Sequence, residues 1–239
     1  MNTLDISNVS VSYPSRLALD RVSASFKSGQ IAGVMGPNGG GKTTLLKCIA
    51  GILSPDEGKI EWGGSDAHSG EKSLSYIPQR GEIDWDFPIT VEQVVAMGVT
   101  AKLPFYKGIS TQLQAQIDNA LRTMGMWDLK KNHIRELSGG QQQRMFLARA
   151  LAQNADLFLL DEPFNGLDAK ATDQLIEQLR SLASSGVAVV LVHHELSNAS
   201  SILDSVLLLN QKVIAQGRPE DVLSDANLSS VYGRSFKQR

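Results

Sequence analysis

Only one of the 239 residues is a cysteine, Cys48. No internal disulfide can therefore staple the fold, and a reducing compartment fits. Cys48 falls in the apolar stretch LLKCIAG, where a buried structural thiol is expected. The chain also lacks a long hydrophobic run. Its longest apolar stretches, such as Val187–Val192, fall far short of the roughly 20 residues a spanning helix needs. The expectation is a soluble protein that reaches a membrane only through a partner. The N-terminus, MNTLDISNVSVSY, has neither a basic start nor an apolar core and does not read as a secretory leader. An excess of one charge is missing too. The 23 Lys and Arg against 25 Asp and Glu leave a formal net charge of −2, which argues against nucleic acid as a partner. Repeats, low-complexity linkers and sustained heptads are absent. What remains is ordinary globular material, 42% hydrophobic and 20% charged, enough for one large or two small domains.

The hydrophobic pattern divides the chain. Leu4, Ile6, Val9 and Val11 stand among polar residues, and Val22, Ala24 and Phe26 alternate more cleanly, so the first part reads as strands. A short strand over Ile31–Met35 runs into a glycine-rich loop, followed by a helix over Lys42–Ala50 that Gly51 stops. From Thr90 to Asn154 the pattern is mostly helical. Thr90 with Gln93 and Ser138 with Gln141 form capping boxes. Leu113, Ile117, Ala120, Leu121 and Met124 mark one face of an amphipathic helix. Strand and helix then alternate again. Leu157–Leu160 and Val187–Val192 are wholly apolar, as in buried parallel sheets. Between them a helix after Asp168 turns Leu175, Ile176, Leu179 and Leu182 inward. Val206–Leu209 and Lys212–Ala215 read as a hairpin around Asn210-Gln211. The whole reads as an α/β core interrupted by a helical insertion.

The loop GPNGGGKT, Gly36 to Thr43, matches G-x-x-x-x-G-K-[ST]. Its glycines let backbone N–H groups point at phosphate oxygens, and the helix that follows adds its positive N-terminal end. Lys42 brings a full charge to the β- and γ-phosphates, and the Thr43 hydroxyl is a ligand for magnesium. Gly36, Pro37, Asn38, Gly39, Gly40, Gly41, Lys42 and Thr43, with Thr44 beside them, are the candidate binding residues for ATP with Mg2+. No N-K-x-D motif is present to read guanine, which argues against a GTPase. LFLLDEP, Leu157 to Pro163, is an apolar strand ending in two acids. Asp161 is placed to hold magnesium, and Glu162 to take a proton from an attacking water. In LSGGQQQR, Leu137 to Arg144, Ser138 caps a helix whose Gly139 and Gly140 leave its first N–H groups open to an anion. One chain then carries two phosphate-binding surfaces. A head-to-tail dimer explains that best, each nucleotide lying between one copy's loop and the other's helix start.

With these motifs in this order, the chain resembles the ATP-binding cassette (ABC) ATPase family over nearly its whole length. The resemblance implies a P-loop NTPase (RecA-like) core with an antiparallel β subdomain and a helical insertion. It implies a single domain over 1–239, with the nucleotide-binding core at about 1–87 and 155–216, the helical subdomain at about 88–154, and a tail at 217–239 in which no motif is legible. GPNGGGKT corresponds to the Walker A loop, Leu160-Asp161-Glu162-Pro163 to Walker B, and LSGGQQQR to the signature, with Ser138, Gly139, Gly140 and Gln141 facing nucleotide. Gln79, in YIPQR, stands where the family has the glutamine that senses magnesium and faces the membrane subunit. Asp168, in Gly166-Leu167-Asp168, corresponds to the D-loop acid at the dimer interface. His194 corresponds to the switch histidine that contacts the γ-phosphate, and Tyr13 to the aromatic stacked on adenine. Gly40 and Thr43 depart from the commonest family form, alanine and serine, and keep its chemistry. His193 and His194 are adjacent, which argues against a shared metal. His68 and His133 are expected to face solvent.

GEIDWDFPITVEQVVAMG and VHHELSNAS are similar to the ATPases of importers for manganese, zinc and iron, and most to the manganese and iron members. The resemblance implies a subunit that energises such an importer by ATP-driven dimer closure. Its partners would be a second copy, membrane permeases and, indirectly, an external metal-binding protein. It would sit at the cytoplasmic face of the plasma membrane, held there by the permease. Glu82, Asp84, Trp85, Asp86 and Phe87 form the candidate contact loop. The rival expectation is a soluble ABC protein acting on DNA or ribosomes, which usually carries two cassettes or a long coiled-coil insertion.

Overall fold

The computed structural model describes residues 2–69, 73–79, 83–100 and 108–232. Glu82 of the contact loop and residues 233–239 of the tail lie outside them. The chain forms two compact units, one from 1–76, 156–163 and 179–239, the other from 77–155 and 164–178. The resemblance implies 155–216 as part of the nucleotide-binding core, whereas 164–178 group with the helical unit.

The strands are β1 (Thr3–Tyr13), β2 (Arg16–Lys27), β3 (Ile31–Met35), β4 (Glu57–Trp62), β5 (Ser65–Asp66), β6 (Leu74–Ile77), β7 (Leu157–Leu160), β8 (Ala188–Val192), β9 (Ser205–Asn210) and β10 (Lys212–Gly217). The helices are α1 (Lys42–Ile49), α2 (Val91–Thr100), α3 (Thr111–Thr123), α4 (Gly139–Ala152), α5 (Ala169–Ser184), α6 (Leu196–Ile202), α7 (Pro219–Val222) and α8 (Asp225–Tyr232).

The first unit holds two sheets. One is antiparallel, in the order β2-β1-β4-β5. The other runs β10-β9-β3-β8-β7-β6, with β9, β3, β8 and β7 parallel and β10 antiparallel at the edge. Chemistry selects these roles. IAGVM, LFLL and AVVLV are buried at every residue, which suits a parallel strand covered on both faces. The alternating β1 and β2 bury Leu4, Ile6, Val9, Val11, Val22, Ala24 and Phe26 in the same core as Leu45, Leu46 and Ile49 of α1. Each fully buried large apolar side chain stabilises by about 1.5–3 kcal/mol.

Helix α1 ends at a left-handed Gly51, φ 70°. The His68 ring closes that end, its Nε2 standing 3.1 Å from the Cys48 carbonyl and 3.2 Å from that of Ile49. His68 therefore does more than face solvent: it occupies the orphan carbonyls of a helix C-terminus. His133 is half-buried and bridges Thr90 through its backbone. Cys48 is fully buried, and burial pushes its thiol up to about 11.

In the second unit the capping boxes form at both expected places. The Thr90 N–H donates to Gln93 Oε1 at 2.9 Å, and the Ser138 N–H to Gln141 Oε1 at 2.8 Å. Ile117, Ala120, Leu121 and Met124 are buried, giving the amphipathic face of α3.

Candidate functional site

The phosphate loop leaves the buried strand β3 and enters α1 at Lys42. Gly36, φ 149°, and Gly41, φ 96°, occupy backbone regions that favour glycine. Space forbids a side chain as well. A Cβ on Gly36 would stand 1.9 Å from the Leu209 carbonyl oxygen, and one on Gly41 2.5 Å from that of Ala18. The hairpin turn also docks here, the left-handed Gln211 donating its N–H to the Gly40 carbonyl at 2.8 Å. Gly41, the N-cap of α1, supplies no side-chain cap, and the first turn holds no acid. Its opening N–H groups are thereby available to an anion. Lys42 is only 6% exposed, and its Nζ donates to the carbonyls of Gly36 at 3.0 Å and Pro37 at 2.8 Å. Burial lowers the Lys42 pKa, opposed by the charges of Glu162 and Asp161. Thr43 is half-buried and Thr44 buried, whereas Asn38 and Gly39 are exposed and Pro37 half-buried.

Asp161 and Glu162 follow β7, and His193 and His194 follow β8. Strands β3, β8 and β7 are neighbours and parallel, so the three loops leave one edge of the sheet. That is the carboxyl edge, where ligands of open α/β sheets bind. Asp161 is 2% exposed, and the Tyr76 hydroxyl donates to its Oδ2 at 3.5 Å. Glu162 is half-buried and left-handed, φ 53°. Its Oε1 lies 2.5 Å from His194 Nε2. A carboxylate only accepts, so that nitrogen carries the proton. His193 turns away and is 4% exposed, its Nε2 2.7 Å from Asn198 Oδ1. The Asn198 amide nitrogen donates to Glu195, which fixes the amide orientation and makes His193 the donor. Burial lowers the His193 pKa against the Asn198 bond. The two histidines thus have separate partners.

Tyr13 ends β1, 38% exposed. It pairs with Arg16 across the β1–β2 turn, and Arg16 Nη1 comes within 3.4 Å of where a Gly39 Cβ would stand. That turn therefore adjoins the phosphate loop. Sequence reading missed Arg16, Tyr76, Asn198 and Gln211 as neighbours of the site.

In the second unit, Gly139 and Gly140 open α4 behind the exposed Ser138. A Cβ on Gly140 would press to 2.9 Å from that of Ala171, so this glycine also serves helix packing. Gln141 completes the cap. Asp168 is exposed and caps α5, its Oδ1 accepting the Ala171 N–H at 2.7 Å. Gln79 is half-buried, two residues beyond β6. Trp85 packs edge-on to Phe146, ring centroids 5.9 Å apart at 69°, while Phe87 is 55% exposed.

Residues 19–165 match the ABC transporter family model. The chain belongs to this family. It is an ABC ATPase that hydrolyses ATP, with the α/β architecture of that family. The manganese transport system ATP-binding protein MntB of Bacillus subtilis (strain 168) is 40% identical over 233 residues, 98% of this ATPase and 93% of that protein. The zinc transport system ATP-binding protein TroB of Treponema pallidum (strain Nichols) is 37% identical, covering 96% and 86%. Among solved structures, the ATP-binding cassette of an ABC transporter in its ADP conformation superposes with a TM-score of 0.83 at 25% identity, over 97% of this ATPase and 98% of that chain. Among the described residues no helix is long and apolar enough to cross a membrane, and no three His, Cys, Asp or Glu side chains gather as a metal-binding group.

Proposed function

We propose that this ABC ATPase energises a transition-metal importer, with manganese as the first choice of cargo and zinc or iron next. Two copies, head to tail, would serve membrane permeases fed by an external metal-binding protein. The chain would be held peripherally at the cytoplasmic face of the plasma membrane. What supports the cargo is likeness over nearly full length to manganese and zinc transport ATPases. The same likeness weighs against the reading of a soluble ATPase acting on DNA or ribosomes.

The observation that carries the catalytic reading is the pairing of Glu162 with His194 at 2.5 Å, on the sheet edge that also presents Lys42. A cradle with no room for a side chain at Gly36 or Gly41, a buried ammonium and a buried carboxylate suit a nucleotide triphosphate with magnesium. Asp161, Thr43 and Gln79 would hold the Mg2+. When bound, it would supply positive charge to offset the negative charge of the phosphates. In this reading Lys42 exchanges its two backbone carbonyls for phosphate oxygens. The Glu162 carboxylate takes a proton from the attacking water. His194 donates to Glu162, fixing the orientation of that carboxylate, and meets the γ-phosphate. Tyr13 stacks on adenine. Ser138, Gly139, Gly140 and Gln141 of the second copy cover the γ-phosphate, and Asp168 lies at that interface.

The deciding experiment is metal uptake in a strain lacking this chain. Manganese uptake should fall, return with the native chain, and stay low with Glu162→Gln. That variant should still bind ATP yet turn it over about 10²–10⁴-fold more slowly. Unchanged uptake of manganese, zinc and iron would remove the importer reading. Near-normal turnover by Glu162→Gln would remove Glu162 as the base.

A further inference from the structure

The two residues that flank His194 are held by one side chain. Strand β8 ends at Val192, yet the His193 N–H still donates to the Val34 carbonyl of β3 at 3.2 Å. Neighbouring residues on such a strand face opposite ways. With His193 turned inward, the other side is left to His194, whose Nε2 donates to Glu162 Oε1 at 2.5 Å. Asn198, in the first turn of α6, meets His193 on the inner side. The imidazole is 4% exposed, and its Nε2 donates to Asn198 Oδ1 at 2.7 Å. A buried donor left without an acceptor is strongly disfavoured. The Asn198 amide nitrogen donates in turn to Glu195 Oε2 at 2.5 Å, so one amide grips the residue before His194 and the residue after it. Asn198 is itself well anchored. Its carbonyl accepts from Ser201 Oγ at 2.7 Å, Arg180 of α5 donates to the Ser201 carbonyl, and α6 buries Ala199 and Ile202.

We infer that Asn198 is a positioning residue for hydrolysis: by holding His193 and Glu195 it keeps His194, between them, against the Glu162 carboxylate. The inference rests on the reading of Glu162 and His194 as the hydrolytic pair. Asn198 acts on that pair through the residues beside His194. Its loss should therefore slow turnover and spare nucleotide binding, which the loop N–H groups and Lys42 provide. Asn198→Leu removes both bonds. Asn198→Asp combined with Glu195→Gln keeps both, because the carboxylate accepts from His193 and also from the amide that replaces Glu195. The pair of variants separates the bonds from the mere presence of a side chain.

The experiment measures ATPase kcat and KM, and ADP affinity by calorimetry, on the full chain, each variant below its own melting temperature. ADP lacks the γ-phosphate, so its affinity reports the nucleotide site without the hydrolytic pair. Native protein, Asn198→Leu, the Asn198→Asp, Glu195→Gln double variant and His194→Ala are compared. A net hydrogen bond translates into about a threefold to tenfold effect. Asn198→Leu should lower kcat by that factor, with KM and ADP affinity within about twofold of native. The double variant should return kcat to within about twofold of native, and His194→Ala should lower kcat further than Asn198→Leu does. Native kcat in Asn198→Leu beside lost turnover in His194→Ala overturns the Asn198 role alone. So does an equal loss in Asn198→Leu and the double variant, since the retained bonds would then do nothing. A fall in kcat that comes with a matching fall in ADP affinity also overturns it, by making the damage general. Native turnover in His194→Ala overturns the hydrolytic pair on which the inference stands.

Discussion

Among the described residues of the site, Glu162 alone holds a left-handed backbone without being glycine or lying in a hairpin turn, φ 53° at the second residue after β7. For a side chain with a Cβ, that conformation costs about 1–2 kcal/mol. Comparing Glu162→Ala with Glu162→Gly isolates this cost. Both variants lose the carboxylate and its 2.5 Å bond to His194, so those losses cancel. Glycine relieves the backbone but gives back about 0.5–1 kcal/mol through its greater freedom in the unfolded chain. The remainder favours glycine by about 0.5–1 kcal/mol. At about 2–4 °C per kcal/mol for a chain of this size, Glu162→Gly should melt about 1–4 °C above Glu162→Ala. Calorimetric melting at one protein concentration without nucleotide reads the difference. Phosphate release should be at background in both. If the alanine variant melts at or above the glycine variant, the backbone at Glu162 stores no strain. Strain kept at such a residue is the expected signature of a group held where chemistry, rather than stability, requires it.

Ser138→Arg should leave ATP binding intact and stop hydrolysis, since a bulky cation replaces the cap of α4. Mixed with Lys42→Ala, it should recover partial activity, because one site of a mixed dimer carries both lesions and the other neither; proven mixed dimers without recovery would end the composite-site reading. Trp85→Ala should lower stability by at least the aromatic pair with Phe146, about 0.5–1.5 kcal/mol, and an unchanged melting temperature would contradict that packing. Phe87→Ala, at a 55% exposed ring, should shift stability by less than about 0.5 kcal/mol while lowering permease binding and manganese uptake together; native uptake would leave this surface without a partner.

The elements were legible where a local rule decides them. Both capping boxes formed, the wholly apolar strands are the buried parallel ones, and α1 stops beside Gly51. Less legible was anything set by a neighbour remote in sequence. His68 reads as a surface histidine until the fold lays it over the end of α1. Trp85 and Phe87, two positions apart on one loop, look equivalent as aromatics among acids, yet one packs on Phe146 and the other stands in solvent. Alternation on an irregular loop carries no face assignment, because no sheet or helix fixes the side-chain direction.

The phosphate loop sharpens the same distinction. Its motif dictates where backbone turns are permitted, but permission is not position. The loop's position comes from the Leu209 carbonyl against Gly36, the Ala18 carbonyl against Gly41 and the Gln211 N–H on the Gly40 carbonyl. None of these three belongs to the motif. Two of them, Leu209 and Gln211, belong to the β9–β10 hairpin, whose pattern announces only a strand pair. Backbone donors that must meet phosphate oxygens need to be held to within about 0.5 Å. Glycines alone would leave the loop free to wander by more than that, since they lose the most conformational freedom on being ordered. The hairpin is therefore functional in the same sense as the loop: it restricts a permissive segment to the one geometry its ligand can use.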